Sequence, residues 1–422
     1  MSTLRAVKGM NDVLPEAIAR WHRVERAFRE ISSRYGYAEV RTPVVEPTQL
    51  FVRSIGEATD IVEKEMYTFE DRGEGHLTLR PEGTAGAVRA YVEHAVSGRE
   101  PITKWSYLGP MFRRERPQRG RYRQFWQAGL ECFGDPGPFV DAEMIELVVT
   151  LLASLGVQDL EVLVNSLGSG STRARYREAL TAYFAPHRDR LSEDSQRRLA
   201  TNPLRILDSK SAADKEISAG APSLLEFLDD ADRTHFEDLQ RALGALGVKF
   251  RVEPTLVRGL DYYSRTLFEI QGRGGELGAQ NTICGGGRYD GLVKELGGPD
   301  VPSIGFAMGI ERVLLVMGGE DRAATIDVAV AVADSSMRTE AAVLLRDLRA
   351  AGMVADGDLR GQSLKSQLRR ADKLGARAVV VLGPAEAERG VVQLKDLAKH
   401  ESQEVPRAEV VARVRDQVRE TA

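Results

Sequence analysis

The chain has 422 residues, 42% hydrophobic and 28% charged, with a formal net charge of −4 at pH 7. That make-up suits a globular protein of roughly two or three domains, excludes a wholly basic nucleic-acid coat, and permits local basic patches. The N-terminal run MSTLRAVKGMNDVLP has no hydrophobic signal core, and no apolar run approaches the ~20 residues of a bilayer span. Cys132 and Cys284 sit in apolar or glycine-rich contexts without metal-ligand spacing. Reduced, structural thiols, a cytoplasmic location, no membrane association and no metal site in the protein are therefore expected.

In chain order, Trp21, Val24, Phe28 and Ile31 recur at helical spacing and predict an amphipathic helix over 15–35, ended by Gly36. A strand over 37–41 stops before Pro43. A long helix running into such a strand is either a dimer-forming edge or a helix packed on a sheet. Two short strands, 66–69 and 76–79, flank a polar turn. Arg80-Pro81-Glu82-Gly83-Thr84 then leads into a helix reaching Val96, which Thr84 can cap. A carboxylate and a hydroxyl at a helix start suit an ammonium group, with ordinary capping as the alternative.

The segment 104–134, KWSYLGPMFRRERPQRGRYRQFWQAGLECFG, is the most informative. Two strand-like runs flank a loop with Arg113, Arg114, Arg116, Arg119, Arg121 and Arg123, and one acid, Glu115. So many guanidinium groups repel one another unless a polyanion lies among them. Side chains alternate along the second strand. Trp126, Ala128, Leu130 and Cys132 form a face for burial, while Phe125, Gln127, Gly129 and Glu131 offer a ring, an amide, a gap and a carboxylate. That face reads as the floor of a pocket for a cationic or donor-bearing ligand, with Gly129 admitting it to the sheet. The bland alternative is an exposed hairpin with an arginine-rich tip.

A helix over 141–155 and a strand over 160–165 precede a change of composition. Gly168-Ser169-Gly170-Ser171 opens a charge-rich helical stretch to about Gly247, an insertion within a sheet domain. Sheet character returns at 250–256. Leu256-Val257-Arg258-Gly259-Leu260-Asp261-Tyr262-Tyr263 then precedes a strand over 266–271. Cys284-Gly285-Gly286-Gly287-Arg288-Tyr289-Asp290 lets backbone lie against a ligand or strand, but lacks the dinucleotide-binding glycine spacing. Residues 303–312 give a strand, a glycine turn and a helix, with Arg312 off the apolar stripe and able to face the ligand side of the sheet. Beyond Gly318-Gly319-Glu320-Asp321, apolar runs at 327–332 and 378–382 alternate with helices at 339–351 and 363–374, and a short strand is expected at 353–356. That pattern predicts a small parallel or mixed α/β domain. The basic face over 363–373 is a nucleic-acid contact or a solvated helix face.

Together these runs resemble class II aminoacyl-tRNA synthetases, and within them the histidyl-tRNA synthetase family, over almost the whole chain. The class motifs correspond to the helix and strand through Tyr37–Pro43, to Phe112-Arg113-Arg114-Glu115 with its strands, and to Gly309-Ile310-Glu311-Arg312. The runs 256–263 and 285–290 look like the histidine-specific signatures. The resemblance implies an α+β fold: an antiparallel catalytic sheet flanked by helices, a helical insertion and a C-terminal α/β anticodon-binding domain. Expected boundaries are 1–169 and 250–320 for the catalytic domain, 170–249 for the insertion and 325–422 for the anticodon domain.

The implied reaction joins L-histidine and ATP to histidyl-adenylate and pyrophosphate, then charges the terminal adenosine of tRNA(His). A homodimer and Mg²⁺ carried on the pyrophosphate end are implied too. By resemblance, Arg113 and Arg258 are the catalytic pair on the α-phosphate. Glu115, Arg121, Phe125 and Arg312 bind the rest of ATP: Glu115 the adenine amino group, Arg121 the distal phosphates, Phe125 and Arg312 the two faces of the ring. Glu82, Thr84 and Gln127 hold the α-amino group of histidine, Glu131 and Tyr263 its imidazole, and Gly83 and Tyr262 complete that site. Arg116 and Gln118 read the tRNA acceptor end. Glu131→Ala is expected to cripple histidine activation and leave the fold intact. The rival is a relative that binds histidine without charging tRNA, the ATP phosphoribosyltransferase regulatory subunit. It typically lacks the anticodon domain and parts of the arginine set.

Overall fold

A computed structural model of the protein describes residues 3–56, 59–73, 75–209, 211–272, 281–318, 326–397, 399 and 401–420. The expected boundary at 320–325 lies outside them. The chain divides into two compact units, one of Met1–Val13 and Arg20–Gly319, the other of Leu14–Ala19 and Glu320–Ala422. Among the described residues no helix is long and apolar enough to cross a membrane.

Helix α1 (Pro15–Arg34) buries Trp21, Val24, Phe28 and Ile31, the predicted stripe. The strand expected over 37–41 shrinks to β1 (Ala38–Glu39). Beyond it, the carbonyls of Thr42 and Pro43 are taken by the Arg80 guanidinium rather than by a neighbouring strand. Next come β2 (Val45–Pro47), α2 (Thr48–Ile55), β3 (Tyr67–Asp71) and β4 (Gly75–Leu79), whose strands form a small sheet in the order β2-β4-β3. Helix α3 (Thr84–Glu93) follows. Its start is capped by Glu82, not Thr84: the Glu82 carboxylate accepts from the N–H groups of Thr84 (2.6 Å) and Ala85 (2.8 Å).

The hairpin comprises β5 (Thr103–Phe112) and β6 (Gln124–Phe133), and leads into α4 (Pro138–Ser154) and β7 (Leu160–Ser166). The insertion carries α5 (Gly170–Phe184), α6 (Glu193–Thr201), α7 (Ala212–Ser218) and α8 (Asp230–Ala245). The chain returns through β8 (Arg251–Val252), β9 (Ser264–Gly272), β10 (Thr282–Arg288), α9 (Leu292–Glu295), β11 (Ser303–Gly309) and α10 (Ile310–Val316). The sheet expected over 250–256 is only two residues long, because Pro254 has no N–H to continue the ladder. Eight strands form one sheet in the order β1-β5-β6-β11-β10-β9-β7-β8. The outer pairs β1–β5 and β7–β8 are parallel, and the pairs between them antiparallel.

Two features tie this unit together. Tyr176, Leu180 and Phe184 of the insertion share one buried cluster with Tyr91, Phe133, Leu163 and Leu267 of the sheet and its covering helix. The insertion is thus part of the sheet's core. The second feature is ionic. Arg288 and Asp141 have fully buried side chains and pair at 2.8 Å, with further bonds from Arg288 to Asp135 O and from Thr266 Oγ1 to Asp141. Arg288 of the glycine-rich signature is therefore structural.

In the second unit, β12 (Val328–Val332), α11 (Arg338–Ala350), β13 (Ala355–Gly357), α12 (Leu364–Lys373) and β14 (Ala378–Leu382) match the expected alternation. Then come α13 (Pro384–Glu388), β15 (Val391–Asp396), β16 (Glu401–Pro406) and α14 (Val410–Glu420). The strand order is β13-β12-β14-β15-β16. Strands β12, β13 and β14 run parallel, and β15 and β16 are added antiparallel, so the sheet is mixed.

Candidate active site

The hairpin fixes the site. Its register pairs Phe112 with Gln124 and Tyr107 with Gly129. The loop between the strands folds back on itself. Arg113 N–H donates to Arg123 O (2.9 Å), and Gln118 and Arg121 exchange two backbone bonds, with Gly120 at φ +70° closing the turn. Arg113, Glu115 and Arg121 are thereby held at the mouth of a cleft with about 850 Å³ of empty space.

Two guanidinium groups enter the cleft from opposite elements. Arg113 donates through Nε to Pro81 O (2.9 Å), and its Cζ lies 5.3 Å from the centroid of the Phe125 ring. Arg258 comes from the 256–263 run and donates to Glu269 on β9 at 2.6 Å. A Cβ at Gly285 would lie 2.2 Å from Arg258 Cζ, so only glycine admits this side chain against β10. Burial, then the nearby charge of Arg258, lowers the Arg113 pKa against the opposing pull of Glu65 and Glu82. Burial tends to raise Glu269, but the Arg258 charge and bonds from Thr282 and Gln271 outweigh it and hold its pKa below the usual range. Glu269 thus positions Arg258. Nothing in its local sequence distinguishes it, and β10–β9 pairing is what brings it there.

Arg312 at the start of α10 faces the cleft and donates to the carbonyls of Gly120 (3.0 Å) and Thr282 (2.7 Å). Burial, and then repulsion from Arg113, Arg121 and Arg258, lowers its pKa to about 10. Glu115 is buried and pairs with Arg121, which also lies 3.6 Å from Glu65. Glu311 accepts from Trp126 N–H, and burial raises its pKa to about 7. Four mutually repelling cations in one cleft are the arrangement that a triphosphate stabilises. Arg116 and Gln118 are exposed on the loop, away from the cleft lining.

Glu82, Thr84, Gln127, Tyr262 and Tyr263 line the other end. Gln127 is 9% exposed, and its Oε1 is buried without a hydrogen-bond partner in the protein. A buried acceptor left open costs about 1–3 kcal/mol, so a donor from a ligand is expected there. Burial raises the Glu82 pKa, countered by its bonds from Ala85 and Thr84.

The floor differs from the sequence expectation. Gly129 is not an open gap: a Cβ there would lie 2.3 Å from Tyr107 Cζ, and one on Gly83 would lie 2.2 Å from Tyr107 Cε2. The Tyr107 ring fills the space that both glycines leave. Glu131 is fully buried beneath it and outside the cleft lining. Its carboxylate accepts from Tyr107 OH (3.0 Å) and from Tyr289 OH. Burial pushes the Glu131 pKa up to about 8, despite bonds that favour ionisation. Glu131→Ala would leave the Tyr107 and Tyr289 hydroxyls without their acceptor, at about 1–3 kcal/mol each, so a loss of stability replaces the expectation of an intact fold. The Tyr107–Gly129 pairing was open to reading by counting residues back from the hairpin loop. Tyr289 stands in the 285–290 run, just past β10, but nothing local says that it meets Glu131.

Residues 9–313 match the histidyl-tRNA synthetase family, and residues 327–417 match the anticodon binding domain family. The chain is 59% identical over 403 residues to the histidine–tRNA ligase of Sorangium cellulosum, covering 96% of this chain and 94% of that one. It is 46% identical over 416 residues to the histidine–tRNA ligase of Rippkaea orientalis, covering 98% and 96%. Among solved structures, the apo histidyl-tRNA synthetase of S. aureus is similar with a TM-score of 0.83 at 35% identity, covering 98% of this chain and 100% of that one. The chain belongs to the histidyl-tRNA synthetase family.

Proposed function

We propose that the chain is a histidine–tRNA ligase. A carboxylate oxygen of L-histidine attacks the α-phosphorus of ATP, the bond to the β-phosphate breaks, and pyrophosphate leaves. A ribose hydroxyl of the terminal adenosine of tRNA(His) then attacks the acyl carbon and AMP departs. The observation that carries this reading is the convergence of Arg113 and Arg258 on one cleft whose far end holds the unpartnered Gln127 Oε1.

Little covalent help is needed for phosphoryl attack, so positioning and cationic stabilisation supply the catalysis. Arg113 and Arg258 bear on the α-phosphate, where charge grows in the transition state. Arg121 exchanges its carboxylate partners for the distal phosphates, which frees Glu115 to accept from the adenine amino group. Phe125 and Arg312 take the two faces of the ring, with Arg113 leaving Phe125 for the phosphate. Among the described residues no cluster of three metal-ligating side chains occurs. Mg²⁺ would arrive on the triphosphate and would neutralise its charge there with few protein ligands.

Gln127 Oε1, with Glu82 and Thr84, accepts the α-ammonium group, and Gly83 and Tyr262 shape the wall. Tyr263 and Glu131 take the imidazole nitrogens, Glu131 by giving up one of its phenol partners. Arg116 and Gln118, exposed on the loop, suit the acceptor end of tRNA, and residues 325–422 its anticodon. The chain works in the cytoplasm as a homodimer; the exposed edge strand β1 supports the dimer alone, and sedimentation as a stable monomer would refute it. Pyrophosphate exchange with ATP across a panel of amino acids tests the whole reading. Exchange with histidine alone supports it, and exchange with none overturns it.

A further inference from the structure

Asp261 lies in the same run as Arg258 and Tyr263 but turns away from the substrate cleft. Its Oδ1 accepts from Arg205 Nη2 (2.8 Å) and Nε (3.2 Å), and from Asn202 Nδ2 (3.1 Å). Both donors belong to the helical insertion. A third insertion residue, Arg173 on α5, donates to the carbonyls of Tyr263 (3.0 Å) and Asp261 (3.3 Å). The run's far end is pinned as well. Arg265 has a left-handed backbone (φ +42°), and its Nε donates to Asp232 on α8 at 3.0 Å. On the catalytic side, Asp261 N–H donates to Ile55 O (3.2 Å), and Gly56 leaves room for the carboxylate.

The 257–263 run has no strand or helix of its own, so its shape depends on outside bonds. Among the described residues, Arg173, Asn202 and Arg205 of the insertion supply most of them. The Arg205 and Asp261 side chains are 12% and 29% exposed, so their pair is partly withdrawn from water and stronger than a surface pair. Glu269 fixes the tip of Arg258, but its backbone is set by this clamp.

We infer that Arg205 is a positioning residue: acting through Asp261, it lets the insertion hold the 257–263 run so that Arg258 and Tyr263 meet the substrates. The catalytic consequence rests on the ligase reading above, while the mechanical one does not. The insertion is then a structural part of the amino-acid site. Displacing it alters histidine activation even when no tRNA is present.

The test uses the full chain with Arg205→Ala, Asp261→Ala, the double variant, and Asn202→Ala as a milder lesion. Two readouts are taken: amide hydrogen exchange over 256–264, and kcat/KM for histidine in pyrophosphate exchange without tRNA. We expect faster amide exchange over 256–264 in Arg205→Ala, with β6 and β11 unchanged. Each of the first two single variants should lose about tenfold in kcat/KM, and the double variant no more than the worse single, since one interaction is removed twice. Asn202→Ala should show the same changes at a few-fold. Unchanged amide exchange over 256–264, or a double loss equal to the product of the singles, overturns the clamp. If the unaltered chain shows no histidine-dependent exchange, the ligase reading fails, and the amide exchange still decides the clamp.

Discussion

Glu131→Gln separates the chemistry of the imidazole site from its packing. The glutamine keeps an acceptor for one tyrosine and offers its amide to the other phenol oxygen, so the buried floor stays bonded. What it loses is the titrating proton. In the free protein Glu131 is held at about pKa 8 by burial. At pH 7 the acid form therefore exceeds the ionised form about tenfold, and at pH 9 the ratio reverses. Free histidine loses its ring proton near pH ~6.5. If the bound imidazole and Glu131 share one proton, binding expels a proton below that value and takes one up above about 8. Then kcat/KM for histidine is highest between the two and falls about tenfold per unit above pH 8. Losing a charge-assisted bond, about 1.5–3 kcal/mol, makes Glu131→Gln about 10- to 150-fold slower at pH 7. Its alkaline limb near 8 also vanishes. The assay is pyrophosphate exchange at varied histidine from pH 5.5 to 9.5; any limb from the substrate's own amine is common to both proteins and cancels in their ratio. A Glu131→Gln profile that keeps the limb near pH 8 rules out Glu131 as the titrating group. Stability moves correspondingly. A folded pKa above the unfolded value contributes stability that is present below about 4.5 and lost as pH rises through about 8. Urea midpoints at pH 5 and 8.5 should therefore differ less in Glu131→Gln.

Arg258→Ala should lower kcat for histidine activation by about 10²–10³-fold, as expected for removing one charge-stabilising group. Glu269→Gln should cost less and leave the histidine KM nearly unchanged; single-turnover adenylate formation reads both. Arg288→Met breaks a fully buried ion pair and strands Asp141, at about 3–5 kcal/mol. Urea unfolding should show that loss, and adding Asp141→Leu should recover part of it. Arg116→Ala and Gln118→Ala should leave pyrophosphate exchange intact and slow tRNA charging, and equal losses in both assays would remove them from the acceptor interface.

The hairpin was the most legible part of the fold because its two periodicities coincide with its contacts. Ala128, Leu130 and Cys132 are buried as alternation requires, and Gln127 lines the cleft on the other face. Trp126 is only half-buried, because its partner is an edge contact with Trp21 of α1 rather than a packed layer. Sequence alone misjudged Gly129, because a missing side chain reads as open space when the ring filling it stands on the neighbouring strand. It missed Glu269 and Glu65, and the contact of Tyr289 with Glu131, for a related reason: each forms through pairing or packing with another segment. The antiparallel strands β15 and β16 were also unread. Glu401–Pro406 is polar and largely exposed, so it lacks the apolar alternation that announces a strand.

Chemistry on histidine, as opposed to binding alone, leaves a product that can be followed. The direct measurement is a single reaction of the purified chain with ATP, radiolabelled histidine and tRNA(His), followed for label on the terminal adenosine and for AMP. The expected result is ATP-dependent esterification of the tRNA with one AMP formed per histidine transferred, abolished by Arg113→Ala. Histidine binding without AMP or charged tRNA would contradict it.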